Sequence, residues 1–242
     1  MKDEAMQDEG MQDEGMQDEA MKEKTMRNDT RKAVHEATSE GVRAARVTVP
    51  MPAGLETARL SFDNGLGRLE LAAREGLGNL LEAEFGGPPP AVWSVDGRTH
   101  VEYPLGARLL RRTAPSTMRL DPAVPWAVDV HGGAAHLDAD LTGADLRSLA
   151  FHGGVAHASI ALGRPRGTRT VRFASADDLR ISRPAGVPVR IEAAKGVTRV
   201  ALDDRAFGAV GNGLADQTPG YDTAEDRYLI LVSGGVSGLT LS

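Results

Sequence analysis

Four histidines stand at matching places in two neighbouring copies of one phrase, His131-Gly-Gly-Ala-Ala-His136 and His152-Gly-Gly-Val-Ala-His157. Neutral imidazole binds zinc, copper or nickel, and four such rings could close a tetrahedral site. His131, His136, His152 and His157 are therefore the metal candidates of this chain. The competing account is a pair of solvent-facing ladders, made when one structural unit was duplicated. No neighbouring position calls for a metal, and the next copy offers Phe173 and Asp178 in their place. The ladder account is preferred, so no metal and no cofactor is expected.

Carboxylates also come in pairs: Asp138 with Asp140, Asp177 with Asp178, Asp203 with Asp204. Glycoside hydrolysis needs two carboxyls roughly 5–10 Å apart across a cleft. Adjacent or alternate residues instead suit solvated strand faces and turns. There is no phosphate-binding Gly-rich loop, no Gly-x-Ser-x-Gly and no His-Glu-x-x-His. No catalytic residue is expected, and the chain reads as a non-enzyme. The absence of cysteine excludes disulfides, thiol catalysis and Cys-ligated zinc, and is compatible with a reducing compartment.

The histidine phrases belong to a longer repeat. Gly132, Gly153, Ala174 and Lys195 anchor copies 21 residues apart (153 − 132, 174 − 153, 195 − 174), and further copies start at Asn64 and Gly234. Five residues past the anchor stand Leu69, Leu137, Ala158, Leu179, Val200 and Leu239. Seven past it stand Leu71, Ala139, Ile160, Ile181, Leu202 and Leu241. Apolar rows two residues apart are strand alternation, not helical spacing. A second strand precedes each anchor, with Leu60/Phe62, Val128/Val130, Leu149/Phe151, Ile191/Ala193 and Ile230/Val232; the third copy offers Val171/Phe173, a slip of one residue. Each unit is then strand, Gly corner, strand and return loop. The row Gly65, Gly133, Gly154, Ser175, Gly196, Gly235 marks the corner, where glycine supplies positive φ or room for a neighbouring backbone.

A unit this short cannot bury its apolar face alone and must stack on its neighbours. The expectation is an all-β fold: a short right-handed parallel β-solenoid of about 21-residue coils, spaced about 4.8 Å apart. Leu137, Ala158, Leu179 and Val200 should form one internal column. Pro125 and Pro188, 63 residues or three periods apart, enter equivalent strands. Residues 92–95 and 99–103 flank Asp96-Gly97 as a hairpin. Residues 107–118, with Arg108, Arg111 and Arg112, read as an exposed basic loop, and 205–228 as a Gly-rich loop.

Residues 1–30 are a five-residue repeat holding ten acidic and four basic residues, which accounts for the whole net charge of −6. Such acidic, low-complexity sequence favours disorder. The remaining 24 acidic and 24 basic residues cancel, which argues against nucleic acid as the partner. No apolar run is long enough to span a bilayer, and no hydrophobic signal region stands at the start; a cytoplasmic protein is expected. The chain divides into a tail and linker, 1–45, and a β domain, 46–242, with a hairpin insertion near 86–104. The expected partner is another protein, or a second copy meeting an open edge left by the last strand.

Three phrases carry a resemblance: Val130-His-Gly-Gly-Ala-Ala-His-Leu137, Arg183-Pro-Ala-Gly-Val-Pro-Val-Arg190, and Tyr228-Leu-Ile-Leu-Val-Ser-Gly-Gly-Val-Ser-Gly-Leu239. Over residues 47–242 the chain resembles the toast-rack β-solenoid domains of bacterial auto-adhesin proteins and of the C-terminus of LiaF-type cell-envelope stress proteins. The resemblance implies a non-enzymatic role in adhesion or envelope stress and brings no catalytic residue with it. LiaF-type proteins carry transmembrane helices before this domain; the acidic pentapeptide tail is not part of their pattern. The alternative is a carbohydrate-binding or carbohydrate-acting β-helix.

Overall fold

The computed structural model describes residues 46–103 and 115–242, all within one compact unit, Arg43–Ser242. The expectations for the pentapeptide tail, the 31–45 linker and Arg108, Arg111 and Arg112 lie outside the described residues. Among those described there are seventeen strands and no helix. In chain order they are β1 (Arg46–Val49), β2 (Ala58–Phe62), β3 (Leu66–Ala73), β4 (Leu81–Phe85), β5 (Ala91–Val95) and β6 (Arg98–Glu102). Next come β7 (Pro115–Leu120), β8 (Trp126–Val130), β9 (Ala134–Leu141), β10 (Leu146–Leu162), β11 (Thr168–Ser182) and β12 (Val189–Ala193). The last are β13 (Val197–Leu202), β14 (Arg205–Phe207), β15 (Leu214–Gln217), β16 (Arg227–Val232) and β17 (Val236–Leu241).

The pairings resolve into two ladders that share β10 and β11. One runs β5-β6-β2-β8-β10-β11-β16-β12-β15. The other runs β1-β4-β7-β3-β9-β10-β11-β17-β13-β14. Pairs in the middle are parallel. Antiparallel pairs lie towards both ends: β5–β6, β4–β7 and β1–β4 at one, β12–β15 and β13–β14 at the other. The ladders do not close into a barrel.

Alternation along each strand sets the register. In the second ladder Leu69 pairs with Leu137, Leu137 with Ala158, Ala158 with Leu179, Leu179 with Leu239 and Leu239 with Val200. All six are buried, so a one-residue slip would turn an entire apolar row to solvent. Each buried Leu or Val contributes about 1.5–3 kcal/mol. In the first ladder Phe151 stacks on Phe173, centroids 5.3 Å apart and 7° from parallel. The expected slip is there: the register shifts between Phe151 and Gly154. Phe173 therefore enters the core beside Phe151 and does not continue the His131/His152 row.

The structure corrects the sequence reading in four further places. The last motif is not an end. β16 and β17 sit between β11 and the pair β12 and β13, so Leu179 meets Val200 only through Leu239, and the edge expected after the last strand is internal. At the other end β6 and β7 extend beyond β2 and β3; the last four residues of the expected basic loop, 115–118, lie in strand β7, with Met118 buried. The Gly-rich segment 205–228 holds β14 and β15. Finally, of the corner row only Gly65 is left-handed, at φ 73°. The glycines that are there for space stand one place earlier, at the anchors: a Cβ on Gly132 would lie 2.6 Å from Gly65 N, and one on Gly153 2.5 Å from Gly132 C, whereas a Cβ on Gly196 or Gly235 would meet nothing closer than 3.4 Å.

Candidate functional site: side-chain ladders on the outer strand faces

Positive φ falls four residues past the anchor instead. His157 (52°), Asp178 (47°), Arg199 (53°) and Gly238 (77°) are all left-handed there. This local kink places two outward residues in succession, so that the apolar residues on either side of the pair, such as Val155 and Ala158 or Ala176 and Leu179, both stay buried. Arg68 pairs with His136 at the same position. The column therefore reads Arg68, His136, His157, Asp178, Gly238, Arg199 across six stacked units, and the kink marks the last four, being absent at Arg68 and His136.

The four histidines form two separate stacked pairs. The rings of His131 and His152 are 4.9 Å apart and 10° from parallel; those of His136 and His157 are 5.2 Å apart and 15° from parallel. All four are exposed. Face-to-face rings present their nitrogens side by side, not towards a shared point. Among the described residues no group of three or more His, Asp or Glu side chains is placed to hold a metal ion. Each pair leans on a carboxylate. His157 Nδ1 lies 3.2 Å from Asp178 Oδ2, a contact that needs the proton on Nδ1. His152 Nε2 lies 3.9 Å from Asp129 Oδ1. The Asp178 carboxyl is held below the usual carboxylate range, first by the His157 hydrogen bond and then by Arg180, His157 and Arg199 nearby.

The paired carboxylates have structural partners as well. Asp140 Oδ1 accepts from the Thr142 hydroxyl at 2.6 Å and from its N–H at 3.3 Å, which lowers its pKa. Asp203 accepts both Nη groups of Arg183, at 2.9 and 2.8 Å, and is lowered for that reason. Asp138 and Asp140 point outwards from β9, Asp177 is exposed on β11 and Asp204 in a turn. None of these pairs lines the open groove of about 570 Å³ between β12, β15 and β16, which is formed by Arg190, Glu192, Asn212, Leu214, Leu231 and Ser233 among others. Inside the core, a gap of about 10 Å³ bounded by Phe62, Leu71 and Val128 is no larger than one water.

One cluster escaped the sequence reading. Trp93 stacks on His100, centroids 5.2 Å apart and 2° from parallel, and His100 Nδ1 lies 3.4 Å from Asp63 Oδ2. The signal was present. Counting outward from the Asp96-Gly97 turn pairs Val95 with Arg98 and hence Trp93 with His100.

No family model matches the chain, and no curated protein does. Among solved structures, the chain is similar to one from Clostridium sporogenes described as a "putative cell adhesion protein". The identity is 19% and the TM-score 0.57, over 81% of this chain and 98% of that one. At that identity the likeness is one of fold.

Proposed function

We propose that this chain is a non-enzymatic interaction scaffold: a β-solenoid of about 21-residue coils, of the toast-rack type, that presents long flat strand faces to protein partners in adhesion or envelope stress. The observation that carries the reading is the parallel stack itself, in which Leu137, Ala158 and Leu179 pair at steps of 21 (158 − 137, 179 − 158). Support comes also from the described histidines His131, His136, His152 and His157, which stack in pairs from one unit to the next, and from the fold likeness to a protein described in terms of cell adhesion. Among the described residues no helix is long and apolar enough to cross a membrane.

Two experiments test the two halves of this reading. Deleting residues 137–157, one whole period, should leave a folded, shorter stack, because every column keeps its register. Deleting residues 137–147, about half a period, should abolish the cooperative unfolding transition. Equal damage from both would rule out the solenoid. Beads coated with the full chain should clump or bind partner-coated beads, and free chain should compete. Inert beads together with hits on a glycan array would replace the scaffold with the carbohydrate-binding alternative.

A further inference from the structure

The two ladders end unevenly. Beyond β2 the first ladder adds two strands, β6 and β5, whereas beyond β3 the second adds three, β7, β4 and β1. At the opposite end each adds two, β12 and β15 in one, β13 and β14 in the other. The first ladder is thus one strand short at the β5 end. Side chains beside the step are incompletely covered. Val47 of β1 and Val92 of β5 pack on the core but are only partly buried.

The outer edge of β5 has main-chain groups to offer. Arg59 N donates to Gly97 O and Asp63 N to Val101 O, so odd-numbered residues of β6 direct their main-chain groups to β2. Arg98, His100 and Glu102 are left for β5, where they pair with Val95, Trp93 and Ala91. The N–H and C=O groups of Val92 and Ser94 then point away from the sheet. Among the described residues β5 pairs only with β6. Exposed edges are normally guarded by charge, proline, a bulge or brevity. β1 starts with Arg46, β14 has three residues including Arg205, and β15 carries Asp216. β5 reads Ala-Val-Trp-Ser-Val and carries none of these guards along its length, the nearest being Pro90 just before it.

We propose that β5 is a docking edge for an extended peptide of a partner protein, which adds antiparallel as the missing strand of the first ladder. The proposal rests on the scaffold reading and names its contact surface. Residues opposite Val92 and Ser94 form hydrogen-bonded pairs with β5 and turn inwards, so small apolar side chains there cover Val47. The residue opposite Trp93 sits at a non-hydrogen-bonded position, where side chains approach most closely. Because His100 covers one face of the indole, the other faces the incoming strand, and a β-branched or aromatic residue fits it. Ala91 and Val95 are short. An acidic side chain opposite Val95 can reach over it to Arg98, and a basic one opposite Ala91 to Glu102. A second copy meeting this edge would bring two protruding β1 strands against each other, whereas a single peptide strand fills the step.

The test uses the full chain and the peptide acetyl-Thr-Glu-Val-Tyr-Val-Lys-Thr-amide, whose Glu falls opposite Val95. Tryptophan emission reports binding through Trp93, since Trp126 is fully buried. A saturable change is expected, at least about tenfold weaker for the peptide with Glu and Lys exchanged. N-methylation of either Val should abolish binding, while N-methylation of the Tyr should spare it, because only the former groups bond to β5. Ser94→Pro should also abolish binding while keeping the fold, as its N–H bonds nothing in β6. Absence of saturation at millimolar peptide, or indifference to the methylation position, overturns the proposal. A concentration-dependent dimer that Ser94→Pro dissolves assigns the edge to a second copy and equally overturns it. Bead clumping that survives Ser94→Pro without peptide binding leaves the scaffold standing and removes β5 as its docking edge.

Discussion

At Gly153 one added methyl group decides whether two stacked corners can pass. Its Cβ would lie 2.5 Å from Gly132 C and 2.6 Å from Gly133 N, both backbone atoms that cannot swing aside. Gly153→Ala should therefore cost about 1–3 kcal/mol through overpacking. Gly208→Ala, with nothing within 4 Å of the new atom and no positive φ, should shift the urea midpoint hardly at all. Similar midpoints for the two variants would remove crowding as the reason for the anchor glycines. Asp203 supports a prediction of another kind. Arg183, whose side chain is 10% exposed, depresses the Asp203 carboxyl mainly through its hydrogen bonds. A carboxyl depressed in the folded state adds stability above its unfolded pKa of about 3.9 and loses it as the pH falls through the folded value. The melting temperatures of wild type and Asp203→Asn should differ near pH 6 and converge towards about pH 2. A difference that stays constant over that range would show that the pair is not coupled to folding through this proton.

Strands and turns were legible because they rest on local chemistry. Rows such as Leu71, Ala139, Ile160 and Ile181 alternate with solvent-facing residues and are buried as the alternation requires, and Asp96-Gly97, with φ 49° and 74°, makes the hairpin turn that its residue types favour. A direct check contrasts neighbours. Leu179 is 1% exposed, while the Arg180 side chain is 67% exposed. Leu179→Asp should abolish the cooperative transition, since a buried charge without a partner is not tolerated; Arg180→Asp should keep it, with circular dichroism as the readout. Two features were not legible at this scale. The left-handed positions accept His157, Asp178 and Arg199, residue types that do not announce a kink as glycine does. The extra strands β14 and β15 are three and four residues long, too short for a period to show. Among the site residues, the stacked histidine pairs follow from the repeat. The Trp93–His100 stack needed the hairpin register to be counted outward.

The order of units in the stack could not be read from the repeat, because every copy offers the same apolar rows to either neighbour. Leu239 fits between Leu179 and Val200 as well as Val200 would fit on Leu179 directly. What permits the insertion is the long connection from β13 to β16, whose closure costs little more than a short one would, about 0.6 kcal/mol per doubling of length. One consequence follows for the whole molecule. In their ladders β12 and β13 touch the parallel stack only through β16 and β17; their other neighbours are the short β15 and β14. In the native order the penultimate unit in sequence therefore docks on the last one and not on β11. In refolding followed by pulsed hydrogen exchange, amides of β12 and β13 should gain protection no earlier than those of β16 and β17, and later than those joining β9, β10 and β11. Shortening the chain to end before Arg227 should leave 189–202 unprotected while Val155 to Leu162 keep their protection, since the latter are held by β9 and β11 on either side. Protection of β12 and β13 that precedes β16 and β17, or that survives the truncation, would mean that β12 and β13 can stack directly on β11 and that the C-terminal unit displaces them later by exchange.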